Sequence, residues 1–146
     1  LGLTPLHIAC WNEAPFEIVA ALLQAWPDSS KQRDKHGNTP LQVACCVEAP
    51  VEVVILLLNN WLSYKENTTN SAIMSLQIHA SRCTGDSKEI FSQLFALCNS
   101  NALTRPPREI MDYFIRNQLW NGVTLVLDRH PTLMSPVTET MGLDTK

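Results

Sequence analysis

The sequence predicts an all-α solenoid, in which helix–turn–helix units stack side by side and polar turns project from one edge. Two observations predict this fold class. Residues 1–26 match residues 36–61 at 14 positions after a shift of 35 residues, where average amino-acid usage gives roughly two. Each copy also holds two short apolar segments, and a proline stands at the start of each segment. A fixed period of this length is typical of proteins built from stacked helical units.

The first helix of each unit is predicted to begin directly after a threonine. Thr4 and Thr39 suit the N-cap position, because their hydroxyls can accept a hydrogen bond from an unpaired backbone N–H of the first turn. Pro5 and Pro40 follow at the first helical position, where a missing N–H costs nothing. We therefore expect a short inner helix in each copy.

The second helix of each unit is predicted to begin at Pro15 in one copy and at Pro50 in the other. Its apolar residues follow helical spacing. In the two copies these residues are Ile18, Val19, Leu22 and Leu23, and then Val53, Val54, Leu57 and Leu58. The helix is expected to stop near Trp26. A polar segment then runs to Gly37, which can adopt positive φ in a projecting turn.

Two further copies are fainter. Leu76 falls 35 residues after Leu41, and Val123 and Val126 restore part of the outer-helix pattern. The third copy has no Thr-Pro pair, so we expect its cap to be lost and its first helix to fray. We expect a single domain segment over residues 1–146 that is a fragment of a longer array. Its repeats fall at about 1–35, 36–70, 71–102 and 103–137, and a further one starts at 138–146.

Composition excludes several classes of function. The net charge is −3, so there is no basic excess to bind nucleic acid. The longest apolar run, from Val53 to Leu58, falls short of the roughly 18 residues of a membrane span. Five cysteines make an odd number, and no signal-peptide pattern opens the chain. We therefore expect free thiols and an intracellular location, either cytoplasmic or nuclear.

Candidate chemistry is sparse. His7 with Cys10, and His79 with Cys83, are possible metal ligands, but zinc needs about four converging ligands and these pairs lie in different repeats. Cys45 is expected to be a core residue rather than a redox group. We find no glycine-rich phosphate loop, nucleophile elbow or paired catalytic carboxylates. We expect no enzyme activity, no metal and no cofactor.

The repeated segment resembles a known family. Residues 34–44 read DKHGNTPLQVA. An ankyrin repeat opens with Asp, two variable residues, Gly, a variable residue and Thr-Pro-Leu-His, followed by an apolar residue and Ala. The first copy keeps Gly2, Ala9 and the run from Thr4 to His7. The resemblance is specific over residues 1–61 and only supporting over residues 62–146. It implies an ankyrin-repeat solenoid.

The resemblance also implies a function. Ankyrin repeats bind protein partners on a concave face and on turn tips, with no chemistry of their own, so we expect a protein–protein interaction module. Contacts are expected from the variable positions of the repeat, with Trp11 as an aromatic anchor. These positions are Trp11, Asn12, Lys35, His36, Asn38, Cys46, Val47, Ser81 and Arg82. Two alternatives are a regulatory or targeting domain attached to a catalytic domain outside this segment, and a purely structural spacer.

Overall fold

A computed structural model describes residues 3–99 and 105–134. In those residues the chain forms nine α-helices, with short 3-10 turns between some of them. The helices are α1 (Pro5–Trp11), α2 (Phe16–Ala25), α3 (Pro40–Cys46), α4 (Val51–Leu62), α5 (Asn70–Met74), α6 (Gln77–Ala80), α7 (Gly85–Cys98), α8 (Pro107–Arg116) and α9 (Trp120–Arg129). Within the same ranges, no helix is long and apolar enough to cross a membrane. The predicted start of a further repeat at 138–146 lies outside the described residues.

The helices form two rows. The inner row consists of α1, α3 and α6, in which each helix packs against the next, and the outer row consists of α2, α4 and α7, which pack in the same order. The core lies between the rows and includes Leu6, Leu41, Leu57 and Leu58. This is the predicted stack of helix–turn–helix units, because each inner helix turns back into the outer helix that covers its apolar side.

The predicted threonine caps are confirmed in the first two units. The Thr4 hydroxyl accepts a hydrogen bond from the His7 backbone N–H at 3.2 Å, and the His7 side chain accepts one from the Thr4 N–H. Thr39 and Gln42 form the same reciprocal pair. His7 makes one contact in addition to this pair, because its Nε2 lies 2.9 Å from the Asn38 carbonyl oxygen. That bond fastens the first inner helix to the turn that opens the second unit.

The outer helices begin one residue later than predicted. Pro15 and Pro50 are N-cap residues with ψ near 156° and 152°, so the helices start at Phe16 and Val51. The preceding turn is tight in both copies: Glu13 has a φ of 55° and Glu48 has a φ of 53°. Left-handed backbone at an equivalent position of each unit carries the chain from the inner row to the outer row.

The third unit departs from the first two. We expected this unit to lack an N-cap, and that prediction is wrong. Thr69 is the N-cap, and its hydroxyl accepts a hydrogen bond from the Ala72 N–H at 3.1 Å. The inner helix is nevertheless interrupted at Ser75, which separates α5 from α6. The next left-handed residue is Gly85, two residues later than the repeat predicts. Without a Thr-Pro start, the inner helix of the third unit begins at Asn70, earlier than the repeat predicts, and it is divided into α5 and α6.

The last two helices do not extend the inner row. Instead α8 packs against α7, and α9 packs against α4, which belongs to the second unit. Asn121 of α9 donates from its backbone N–H and its side-chain amide to Asn59 of α4, at 2.7 and 2.8 Å. Arg129 donates to the Thr68 carbonyl at 2.7 Å. The α8–α9 pair therefore lies along the outer helices α7 and α4. We call this helix pair the brace.

The first unit shows which positions a neighbouring unit covers. Ile8 and Val43 occupy the same position in the two copies, as do Ile18 and Val53. The second-copy residues are 0% and 3% exposed, because α1 and α2 pack over them, whereas Ile8 and Ile18 are 48% and 50% exposed. Within the described residues, these apolar positions of a unit are buried only where another unit lies against them.

Replacing Gly37 with alanine should destabilise the fold by about 1–2 kcal/mol. Gly37 has a φ of 82°, and nothing lies within 4 Å of an added Cβ, so backbone strain rather than a clash sets the cost. Urea unfolding followed by circular dichroism measures the loss. Gly37→Asn is the matched control and should cost less, because asparagine tolerates left-handed backbone. Equal losses for the two variants would rule out this explanation.

Candidate functional site

The inner row brings several of the predicted contact residues to corresponding helix ends. Trp11 is the last residue of α1, Cys46 is the last residue of α3, and Ser81 follows the last residue of α6. Because α1 packs against α3 and α3 packs against α6, these three positions lie on neighbouring elements of one face. We call this surface the inner-helix face.

One open cavity lies at the end of the inner-helix face that belongs to the first unit. Its volume is about 300 Å³, and it is lined by Leu3, Trp11, Asp34, Lys35 and His36. We call it the Trp11 cavity. Trp11 is 42% exposed, so its indole forms a wall that a partner can reach. Three residues that we expected to contact a partner, Trp11, Lys35 and His36, are thus brought together in one concave site.

The turn that carries Lys35 and His36 is held by its own hydrogen bonds. The Asp34 carboxylate accepts from the backbone N–H groups of His36 and Asn38, at 2.9 and 3.0 Å. The Asp34 N–H donates to the Asn38 carbonyl at 2.9 Å, and the Gly37 N–H donates to the Asp34 carbonyl. The turn therefore presents its side chains from a rigid backbone.

These bonds also set the acidity of Asp34. The backbone N–H of Asn38 is the main cause that lowers the pKa of the Asp34 carboxyl below its ordinary value of 3.8, while burial opposes the shift. The His36 N–H and the nearby imidazoles of His7 and His36 lower the pKa further. The ionised carboxylate is the form that holds the turn.

Acid should therefore weaken this turn. Because the pKa of Asp34 is lower in the folded state, its contribution is complete above 3.8 and is lost as the pH falls through the folded value. Asp34→Asn should lower the free energy of unfolding by about 1 kcal/mol at neutral pH and by clearly less at pH of about 2, because protonation of the folded carboxyl progressively removes the contribution. Urea titrations at the two pH values measure this difference. Asp112→Asn, at an exposed position, is the control, and the prediction fails if the loss for Asp34→Asn is the same at both pH values.

A second group of predicted residues meets between the second and third units. Arg82 lies beside Cys46, and its Nη1 donates to the Cys46 sulfur at 3.4 Å. Ser81 is exposed next to Arg82, and its hydroxyl donates to the Ile78 carbonyl at 2.6 Å. Cys46, Ser81 and Arg82 therefore form a continuous polar patch.

The remaining predicted residues have more local roles. The Asn12 side chain donates to the Ile8 carbonyl at 2.8 Å and so closes α1. Val47 is half-buried at the end of α3. Asn38 is also half-buried, and both its N–H and its carbonyl are used within the turn and by His7. Asn38 thus connects two units, and the structure brings Asn12 and Val47 to the rim of the inner-helix face.

Two features of the face were missed at the sequence level. Leu3 lines the Trp11 cavity and lies at the same repeat position as Asn38, so the 35-residue register could have identified it. A second groove, of about 290 Å³, is lined partly by α7. Its lining residues are Gln77, Ala80, Ser81, Lys88, Phe91, Ser92 and Phe95. The groove lies between α6 and α7, in a unit where the repeat is weak, so the 35-residue register gave no signal for it.

Two thiols of the first two units, Cys10 and Cys45, are buried rather than activated. Burial raises the pKa of the Cys10 thiol to about 12. A hydrogen bond with Cys83, together with burial, raises the pKa of Cys45 above its ordinary value. Both residues belong to the core, as expected from their repeat position. Among the described residues, no group of three or more His, Cys, Asp and Glu side chains is arranged to hold a metal ion.

Comparison with known proteins identifies the repeated part of the chain. Residues 1–72 match the family model for ankyrin repeats, which describes three copies. No curated protein and no solved structure gives a significant match. The family match covers both well-preserved units and the helical start of the third, and it confirms the all-α solenoid predicted from the sequence.

Proposed function

Because residues 1–72 belong to the ankyrin-repeat family, we propose that this chain is a module that binds a protein partner through the inner-helix face and the adjoining turn. Ankyrin repeats are generally protein–protein interaction modules and are typically non-catalytic. The proposed contacts centre on Trp11, Lys35 and His36 and continue through Cys46, Ser81 and Arg82.

The Trp11 cavity is the observation that carries this proposal. Three residues expected at variable repeat positions converge there on one open pocket, although they come from two different units. Pockets in which an exposed aromatic side chain is flanked by polar groups are typical anchor points of protein interfaces. A spacer with no partner has no need for such a pocket.

The packing of the last two helices supports the same choice of face. The α8–α9 pair lies along α4 and α7, so it covers much of the outer row of the second and third units. The inner-helix face carries no such cover among the described residues. The inner row is therefore the side of the stack that this helix pair leaves open.

Site-specific photo-crosslinking in the native cell extract tests the proposal. A benzophenone side chain is placed at His36 or Ser81 on the inner-helix face, and at Thr124 on α9 as the control; all three positions are exposed. We expect both inner positions to give an adduct of the same partner, and Thr124 to give none. The additional change Trp11→Ala should reduce the yield at least about fivefold, since loss of a central aromatic anchor costs more than 1 kcal/mol.

The alternative outcomes are also distinct. Equal adducts at the inner positions and at Thr124 would show nonspecific contact and would reject the proposed face. No adduct at any position would favour a spacer. Circular dichroism of Trp11→Ala must remain that of the parent protein, so that a lost adduct reports on binding rather than on unfolding.

A further inference from the structure

We propose that the Trp11 cavity binds an acidic peptide segment that inserts an apolar side chain between Trp11 and Leu3 and places a carboxylate beside Lys35. This inference rests on the proposed function and specifies the chemistry of the partner. It is carried by the lining of the cavity, by the distribution of charge around it and by the rigidity of the turn that bounds it.

The walls of the Trp11 cavity favour an apolar side chain of the partner. Leu3 is 52% exposed and Trp11 is 42% exposed, and both line the cavity. The volume of about 300 Å³ lies at the lower end of the range for ligand pockets. Burying these two side chains under a Leu-sized or Phe-sized group removes apolar area from water, which favours binding. The cavity is therefore suited to one large apolar side chain.

The charges of the turn that carries Lys35 and His36 favour an acidic group of the partner. Lys35 and His36 are exposed at the rim, whereas the one acidic lining residue, Asp34, uses its carboxylate to accept two backbone N–H groups. Arg33 adds a further cation, since its Nη1 donates to the Gly37 carbonyl at 2.8 Å and stays beside the turn. The chain as a whole carries −3, so this turn is a local reversal of its charge. A negatively charged segment is the complementary partner.

The fixed backbone around the Trp11 cavity limits the conformational entropy that this chain loses when a partner binds. Asp34 and Gly37 fix the backbone of the turn, and the His7 side chain ties the Asn38 carbonyl to α1 at 2.9 Å. Lys35 and Trp11 therefore lie on two elements whose relative position is already fixed. The cavity therefore loses little conformational freedom when a partner binds, which lowers the cost of binding.

Fluorescence anisotropy with defined peptides tests the inference on the whole chain. The probe is a fluorescein-labelled decapeptide in which aspartates and glutamates flank a central Leu-Phe pair. One comparison peptide replaces the acids with lysines, and another replaces Leu-Phe with Ser-Ser. We expect the probe to bind at least about tenfold more tightly than either comparison peptide, because each of them removes one of the two complementary features. Equal binding of all three peptides, or no binding, would overturn the inference.

Variants assign the binding to this cavity. Trp11→Ala and Lys35→Glu should each weaken binding of the probe at least about tenfold. The matched controls are Trp120→Ala, whose indole is 53% exposed on α9, and Lys65→Glu, at an exposed lysine in another turn. Both controls should leave the affinity within about twofold of the parent protein. A loss of the same size in the controls would place the peptide elsewhere and overturn the inference.

The two proposals can fail separately. If Trp11-dependent crosslinks form on the inner-helix face but the lysine peptide binds as tightly as the acidic probe, the proposed function stands and the acidic partner is wrong. If crosslinks are independent of the inner-helix face, the proposed function fails. Displacement of the probe by single-stranded RNA at equal charge would instead indicate a general polyanion site and would overturn the peptide assignment.

Discussion

Replacing Phe114 with alanine should lower the free energy of unfolding by about 3–5 kcal/mol. Phe114 lies in α8, is 0% exposed and contacts α9 so closely that a Cβ on Gly122 would lie 2.9 Å from its ring. Removing the ring leaves a cavity between the two helices that Gly122 cannot fill. Phe114 falls at the repeat position of Ala9 and Ala44, so a large side chain replaces a small one there, and the structure accommodates it with a glycine on α9.

Urea unfolding and hydrogen exchange measure this effect. The adjacent residue Ile115 is the matched control, because it is also large and apolar but is 40% exposed. Ile115→Ala should change stability by no more than about 0.5 kcal/mol. Exchange should increase first in α8 and α9 of the Phe114→Ala protein, and then at their contacts with α4 and α7. A Phe114→Ala protein as stable as Ile115→Ala would contradict the packing described for the brace.

Replacing Leu58 with alanine should lower the free energy of unfolding by about 2–5 kcal/mol. Leu58 is 0% exposed in α4, and α4 packs against α2, α3, α7 and α9. A cavity in this helix therefore weakens the contacts of the second unit with its neighbours as well as its own core. In stacked repeats, stability is approximately a sum of unit and nearest-neighbour contributions, so a central unit affects the whole array.

Two comparisons calibrate the Leu58 variant. Leu23→Ala changes the equivalent position of the first unit, where the side chain is 6% exposed rather than 0%, and should cost less than Leu58→Ala. Ile78→Ala removes a side chain that is 74% exposed and should cost no more than about 0.5 kcal/mol. Thermal melts followed by circular dichroism rank the three variants. A larger loss for Leu23→Ala than for Leu58→Ala would contradict the central role of α4.

The candidate site was predictable only where the repeat was well preserved. Trp11 was predicted as a contact residue because the small residues Cys46 and Ser81 occupy its position in the next two units. Lys35 and His36 were predicted because they lie in the turn that ends at Gly37. Their convergence on one cavity depends on how α1 packs against α3, which the sequence leaves open. The same packing gives Asn38 a structural role, because its carbonyl lies 2.9 Å from Nε2 of the His7 side chain.

The two-row stack of the first units follows from local sequence signals. A threonine cap, a proline at the first helical turn and a glycine at positive φ act through local hydrogen bonds and backbone sterics, so they could be predicted from neighbouring residues alone. The positions of α8 and α9 depend instead on long-range packing. That packing depends on buried surfaces and on hydrogen bonds such as Asn59–Asn121, which join residues 62 positions apart and leave no periodic trace in the sequence.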